Sequence, residues 1–109
     1  MEDQLVKFPI RPKKDKNVLA KIRSKAASGK YVPVEHAKLR MDQREVTDPE
    51  VRFVLMNGFH EKRKDDFRDL FNSWNYSIRG KTIDSRLLRI VVSFDRADLL
   101  LITVIDLEK

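Results

Sequence analysis

Cysteine is absent from this sequence, glycine is scarce, and there is no long hydrophobic run. The lack of thiols excludes disulfide bonds, thiolate metal sites and a cysteine nucleophile. The longest apolar stretch, from Leu99 to Ile102, is too short to span a bilayer. The first residues are acidic and lack the apolar core of a signal peptide. We therefore expect a cytoplasmic protein that has no membrane partner.

Several familiar catalytic motifs are missing as well. The chain has no glycine-rich phosphate loop, no serine elbow and no HExxH zinc motif. A metal site built from His60, Glu61, Asp65 and Asp66 is disfavoured, because these carboxylates are not spaced for one face and three basic residues intervene. We expect neither a metal nor a cofactor.

What is abundant is charge, and its distribution is uneven. A length of 109 residues suits a single domain. Charged residues make up 37% of the sequence, and the net charge is +6. The segment from Lys7 to Lys30 holds nine basic residues against one acidic residue, Asp15, so it carries +8. Such a field attracts the phosphates of RNA or an acidic protein partner. A solvated tail that only aids solubility is the alternative.

The first half of the chain has the pattern of an arm followed by helices. Residues 1–14 contain two prolines among charges, and we expect a flexible basic arm ahead of a single domain over residues 15–109. Asn17 is placed to cap a first helix that ends near Ser28. Residues 31–34 include a proline and are expected to form an extended link.

Two further helices are predicted. The second covers residues 35–45. Thr47 and Glu50 have the spacing of a capping box, with Pro49 in the first turn, and they predict a third helix that ends at Asn57-Gly58. The residues that this helix should bury are Val51, Val54 and Leu55.

The second half of the chain has the pattern of a sheet. Residues 59–64 are a candidate first strand, and residues 65–72 are ambiguous. Alternation over residues 74–79 and 87–94 is typical of half-buried strands, whereas residues 99–105 are apolar on both faces, like a central strand. The fold class is therefore predicted to be α+β, with two or three N-terminal helices packed on a twisted antiparallel sheet of about four strands.

One helix carries candidate catalytic residues. His36, Arg40 and Arg44 follow one another at i, i+4 and i+8, so they form a stripe on the second helix. An imidazole can act as a general acid or base, and guanidinium groups can stabilise a developing phosphorane charge. The alternative is that both arginines pair with nearby carboxylates while His36 caps the helix start.

A second basic set lies on the predicted sheet. Arg79 and Arg89 fall on the faces opposite the main apolar stripes of their strands, and the turn between them adds Lys81 and Arg86. If the strands pair, the four side chains form a candidate phosphate-binding platform for RNA. An ordinary solvated sheet face is the alternative.

These features resemble a known pattern. The block from His36 to Arg44 reads H-A-x-x-R-M-x-x-R, and with the helix, strand and hairpin around it residues 18–106 resemble a widespread uncharacterised bacterial family. Glu45 stands where members of that family usually have glycine. The family is similar in layout to RelE/ParE-type toxins of the barnase–EndoU–colicin–RelE fold. The resemblance implies a RelE-like sheet and an RNA-cleaving or toxin-derived role in a toxin–antitoxin pair, with His36, Arg40 and Arg44 as the signature polar residues.

Three functions follow as hypotheses. The first is a metal-independent endoribonuclease acting on mRNA, with His36 as general acid or base and Arg40, Arg44, Arg79 and Arg89 on phosphate. The second is a toxin-fold module without activity that binds an acidic, antitoxin-like protein. The third is a nucleic-acid-binding protein without chemistry. We favour the first.

Overall fold

Three α-helices and six strands make up the part of the chain that the structure describes. The computed structural model describes residues 11–95 and 98–108. The helices are α1 (Val18–Ala27), α2 (Glu35–Arg44) and α3 (Asp48–Asn57). The strands are β1 (Tyr31–Pro33), β2 (Phe59–His60), β3 (Asp66–Arg68), β4 (Ser73–Lys81), β5 (Leu87–Phe94) and β6 (Leu99–Asp106). The α+β class is confirmed, and the sheet is larger than predicted.

Helix α1 lies where it was predicted, but its start lacks a side-chain capping hydrogen bond. Val18, Ile22 and Ala26 form its buried stripe. Asn17 occupies the predicted N-cap position in the left-handed conformation, but its side chain makes no capping hydrogen bond. The helix ends before Gly29, which takes a φ of 71° that glycine adopts without a steric penalty.

The predicted capping box at the start of α3 is confirmed. The Thr47 hydroxyl accepts a hydrogen bond from the Glu50 amide, and the Glu50 carboxylate accepts one from the Thr47 amide at 2.9 Å. Between α2 and α3, Glu45 has a φ of 52°. This is the left-handed conformation that glycine takes most easily.

The sheet has the strand order β1-β6-β5-β4-β2, with β3 paired to the remaining length of β4. The predicted antiparallel meander is confirmed for β4, β5 and β6. The predicted extended link over residues 31–34 is instead strand β1, parallel to β6, and Pro33 is tolerated because β1 is an edge strand. The predicted strand over residues 59–64 shortens to β2, and the ambiguous residues 65–72 contain β3.

The core lies between the helices and one face of the sheet. Ile78, Ile90 and Val104 are neighbours across β4, β5 and β6, and all three are fully buried. Strand β4 was predicted to be half-buried, but Asn75 and Ser77 on its other face are buried too. The turn before β3 covers part of that second face, where the Ser77 hydroxyl donates a hydrogen bond of 3.2 Å to the Lys64 carbonyl.

The start of the described chain lies against the outer edge of the sheet. The Trp74 indole donates a hydrogen bond of 2.8 Å to the carbonyl of Pro12, and the Lys14 ammonium lies 2.9 Å from the Asp65 carboxylate. Arg11 stacks over the Phe67 ring at 4.6 Å from its centre. Residues 1–10 of the predicted flexible arm lie outside the described residues.

Candidate functional site

A groove crosses the sheet face opposite α1 and α3. It consists of two adjoining cavities of about 520 Å³ and about 300 Å³ that share the lining residues Arg68, Asn75 and Ile102. We call it the sheet groove. Its floor in the smaller cavity is formed by Asn75, Ser77, Val91, Ile102 and Thr103.

One wall of the sheet groove comes from β3 and the turn before it. Asp66 is paired with Asn75 and Arg68 with Ser73 in the antiparallel register. Because directly opposed residues project to the same side of a sheet, the Asp66 and Arg68 side chains stand on the groove side. Lys64 adds a second cation to this wall, and neither Lys64 nor Arg68 makes an ion pair with any residue that the structure describes.

The other wall comes from the junction of β1 and α2. The Val34 amide donates a hydrogen bond of 3.0 Å to the Leu101 carbonyl, which fixes the start of α2 beside β6. Ala37 is fully buried in the core. Successive residues of a helix are about 100° apart. His36 accordingly points away from the core and lines the smaller cavity, opposite Lys64 and Arg68.

The rest of the predicted helix stripe does not join His36 in the sheet groove. Arg40 donates a hydrogen bond of 2.8 Å to Gln43 on its own helix. Arg44 lines a separate cavity of about 400 Å³ at the far end of α2. The alternative, in which both arginines pair with carboxylates while His36 caps the helix start, is not seen either. The start of α2 has no side-chain cap, and neither arginine pairs with a carboxylate of the described residues.

The predicted strand arginines lie side by side around a buried carboxylate. Arg79 and Arg89 are neighbours in the register of β4 and β5, as the predicted pairing requires. The Glu61 carboxylate, 6% exposed, accepts hydrogen bonds from Arg89 at 2.8 and 3.2 Å and from Arg79 at 3.4 Å. The hydrogen bonds from Arg89, followed by its charge and by Arg79, hold the pKa of Glu61 below its ordinary value against the effect of burial. The platform is thus an internal ion cluster.

Arg86 is also engaged inside the protein. Its guanidinium lies 3.3 Å from the Asp106 carboxylate and 3.6 Å from that of Glu50. It also donates to the backbone carbonyls of Arg44 and Glu45, where α2 ends. Arg86 thus contacts four acceptors on three segments, the end of α2, α3 and β6, and it holds these segments together. Lys81, the remaining member of the predicted set, is exposed at the end of β4.

The residues around His60 form another internal cluster. The His60 ring lies 2.8 Å from the Asp65 carboxylate, which also accepts a hydrogen bond of 3.0 Å from the Ser77 amide. Within residues 11–95 and 98–108, no group of three or more histidine, aspartate or glutamate side chains is arranged to hold a metal ion.

Sequence reasoning missed the groove residues Arg68, Phe71 and Asn75. A signal existed, because polar Asp66 and Arg68 flank apolar Phe67 with the period of a strand. The neighbouring turn residues obscured this short pattern. Only the pairing of β3 with β4 shows that the polar side of β3 faces the sheet groove.

None of the described helices is both long and apolar enough to cross a membrane.

Comparison with known proteins matches the chain to a family model and not to an individual protein. No curated protein and no solved structure matches the chain. A family model, Domain of unknown function (DUF4258), matches residues 34–106, the segment that holds α2, α3, strands β2 to β6 and every lining residue of the sheet groove. Because the match covers well over half of the chain, the protein belongs to the DUF4258 family.

Proposed function

We propose that the protein is a metal-independent endoribonuclease that binds single-stranded RNA in the sheet groove, with His36 as its general acid or base. The observation that supports this function is one cavity lined by His36, Lys64, Asp66 and Arg68. A RelE/ParE-type toxin role belongs to the same proposal, and it rests on the H-A-x-x-R-M-x-x-R block that begins at His36.

The reaction needs two proton transfers and a cation. The ribose 2′-oxygen attacks the adjacent phosphorus while a base takes its proton, and the bond to the 5′-oxygen breaks as that oxygen gains a proton. The products are a 2′,3′-cyclic phosphate and a 5′-hydroxyl. His36 supplies one proton transfer and Asp66, in the same cavity, is the second titratable group. Lys64 and Arg68 stabilise the negative charge on the phosphorane oxygens.

The cations of this proposal differ from those predicted from the sequence. Arg79 and Arg89 are held by Glu61, and a phosphate would have to compete with that buried carboxylate for them. Lys64 and Arg68 have no such competitor among the described residues. We therefore assign phosphate binding to the wall formed by β3 and its preceding turn.

RNA binding without chemistry is the second candidate function. It is favoured by the positions of Arg40 and Arg44, neither of which lines the sheet groove. In that case the affinity for RNA falls steeply with rising salt while the RNA stays intact. Binding of an acidic, antitoxin-like protein remains a further proposal, and a stable complex that forms without RNA cleavage tests it.

The nuclease proposal is tested with purified protein and end-labelled single-stranded RNA in the presence of EDTA. We expect cleavage that leaves 2′,3′-cyclic phosphate ends, and a loss of about 10²–10⁴-fold in the cleavage rate for His36→Ala. Lys38→Ala is the matched control, because Lys38 is exposed on the same helix and lies outside the groove. Cleavage that persists in His36→Ala, or that requires a metal ion, contradicts the proposal.

A further inference from the structure

The side-chain amide of Asn75 is buried and has no hydrogen-bond partner among the described residues. Asn75 is 7% exposed, and its side chain makes no hydrogen bond in the part of the chain that the structure describes. Buried polar side chains nearly always have a hydrogen-bond partner, because leaving one unpaired costs free energy. Asn75 lines both cavities of the sheet groove. Its free donor and acceptor therefore face the space in which a ligand would lie.

The larger cavity around Asn75 has the character of a base-binding pocket. Half of its lining residues are apolar, among them Phe71, Phe94 and Leu100, and the polar half includes Arg68, Asn75 and Asp95. Phe71 is 69% exposed, although a phenylalanine normally buries its ring. An exposed aromatic ring that lines this cavity offers a stacking surface for an unpaired base.

We propose that the larger cavity binds an adenine base of single-stranded RNA and that the Asn75 amide reads its edge. An amide carries one donor and one acceptor side by side, and adenine presents the complementary acceptor and donor at N7 and N6. The corresponding edge of guanine presents two acceptors, which a single amide cannot satisfy. This specificity rests on the proposed function, because it places RNA in the same groove.

The position of Arg68 joins the two cavities into one binding path. Arg68 and Asn75 line both of them, whereas His36 lines only the smaller one. A nucleotide whose base contacts Asn75 has its phosphate near the Arg68 guanidinium and its neighbour near His36. Cleavage should therefore occur next to adenosine.

The test measures the binding of fluorescein-labelled decamers of adenosine, 7-deazaadenosine (which lacks N7) and inosine (which, like guanine, presents two acceptors at that edge), all with 2′-O-methyl groups so that they cannot be cleaved. We expect the full chain to prefer the adenosine decamer by roughly tenfold or more, the contribution of one two-point contact with a base. Asn75→Leu should abolish this preference and leave the affinity for the other two decamers unchanged. Its melting temperature should stay the same or rise, because leucine fills the site of an unpaired amide.

Two further variants make the result interpretable. Phe71→Ala, at an exposed position, should weaken adenosine binding by about tenfold through lost stacking without affecting the fold. Asn57→Leu removes an exposed amide at the end of α3 that donates a hydrogen bond to the Phe53 carbonyl, and it should leave the binding of all three decamers unchanged.

Equal affinity for the three decamers, or a preference that survives Asn75→Leu, overturns the inference. Cleavage that depends on His36 but ignores the base overturns it while leaving the proposed function intact. An adenosine preference that depends on Asn75 without any cleavage supports it and overturns the nuclease. Failure to bind any decamer overturns both.

Discussion

Two buried polar side chains of the protein, Glu61 and Asn75, differ in the hydrogen bonds that they receive from other residues. Glu61 receives hydrogen bonds from two arginines, whereas Asn75 receives none from any described residue. A satisfied buried charge holds strands together, and an unsatisfied amide is a cost that a ligand can remove. We therefore read Glu61 as a structural residue and Asn75 as a binding residue.

Removing the charge of Glu61 should destabilise the protein. Glu61→Gln leaves Arg79 and Arg89 without their carboxylate, and we expect the free energy of unfolding to fall by about 2–4 kcal/mol. Urea denaturation at pH 7 measures this loss. Glu35→Gln is the control, because the Glu35 side chain is almost fully exposed and its ion pair with Lys38, at 3.5 Å, lies on the surface. This substitution should change the free energy of unfolding by less than about 0.5 kcal/mol. Equal effects of the two substitutions would show that the cluster contributes little.

The same residue predicts a dependence of stability on pH. Because Arg89 and Arg79 lower the pKa of Glu61 in the folded protein, the unfolded chain takes up the proton first as the pH falls. The stabilisation is therefore complete above the ordinary glutamate pKa of about 4.3 and is lost as the pH falls through the lower folded value. Denaturation curves between pH 2 and pH 7 should show a smaller acid-dependent loss for Glu61→Gln than for the native protein. An identical acid dependence would contradict the assignment.

Helix α3 and strand β4 approach each other through two glycines. A Cβ atom at Gly58 would lie 2.7 Å from the carbonyl oxygens of Val54 and Arg79, and one at Gly80 would lie 2.9 Å from the Cα of Gly58. The backbone of Gly58 is extended, with a φ of −77°, so this position requires glycine for space and not for its conformational freedom. The close approach sets the distance between the helix and the sheet.

Substitution of Gly58 should therefore be costly. Gly58→Ala has to push backbone atoms apart, and we expect a loss of about 1–3 kcal/mol in the free energy of unfolding. Gly29→Ala is the comparison, because its Cβ would meet nothing within 4 Å and only its left-handed backbone, with a φ of 71°, penalises alanine, by about 1 kcal/mol. Chemical denaturation of both variants measures the difference. A smaller loss for Gly58→Ala than for Gly29→Ala would contradict the crowding argument.

The elements that the sequence predicted well are those specified by local signals. The capping box of Thr47 and Glu50 lies within one turn, and it located α3 correctly. The pairing of β1 with β6 joins residues almost seventy positions apart, and three residues around a proline give no local signal for it. Glu61 was missed as the partner of Arg89 for the same reason, since the contact spans 28 residues.

The groove itself is a product of topology. The parallel pairing of β1 with β6 brings the start of α2, and so His36, to one side of the sheet face, and β3 brings Arg68 to the other. Helical spacing predicted His36, Arg40 and Arg44 as a single group, but eight residues of helix span about 12 Å. The sequence thus indicated the histidine, whereas its partners could be found only from the arrangement of the strands.

The location of bound RNA tests the central claim, that the sheet groove is the site of function. The measurement is a titration of ¹⁵N-labelled protein with an uncleavable 2′-O-methyl RNA, followed through the amide signals. We predict that the largest shifts occur at His36, Arg68, Asn75 and Thr103, which line the groove. Shifts concentrated around the separate cavity of Arg44, Arg86 and Glu108, or no shifts at all, would contradict the account.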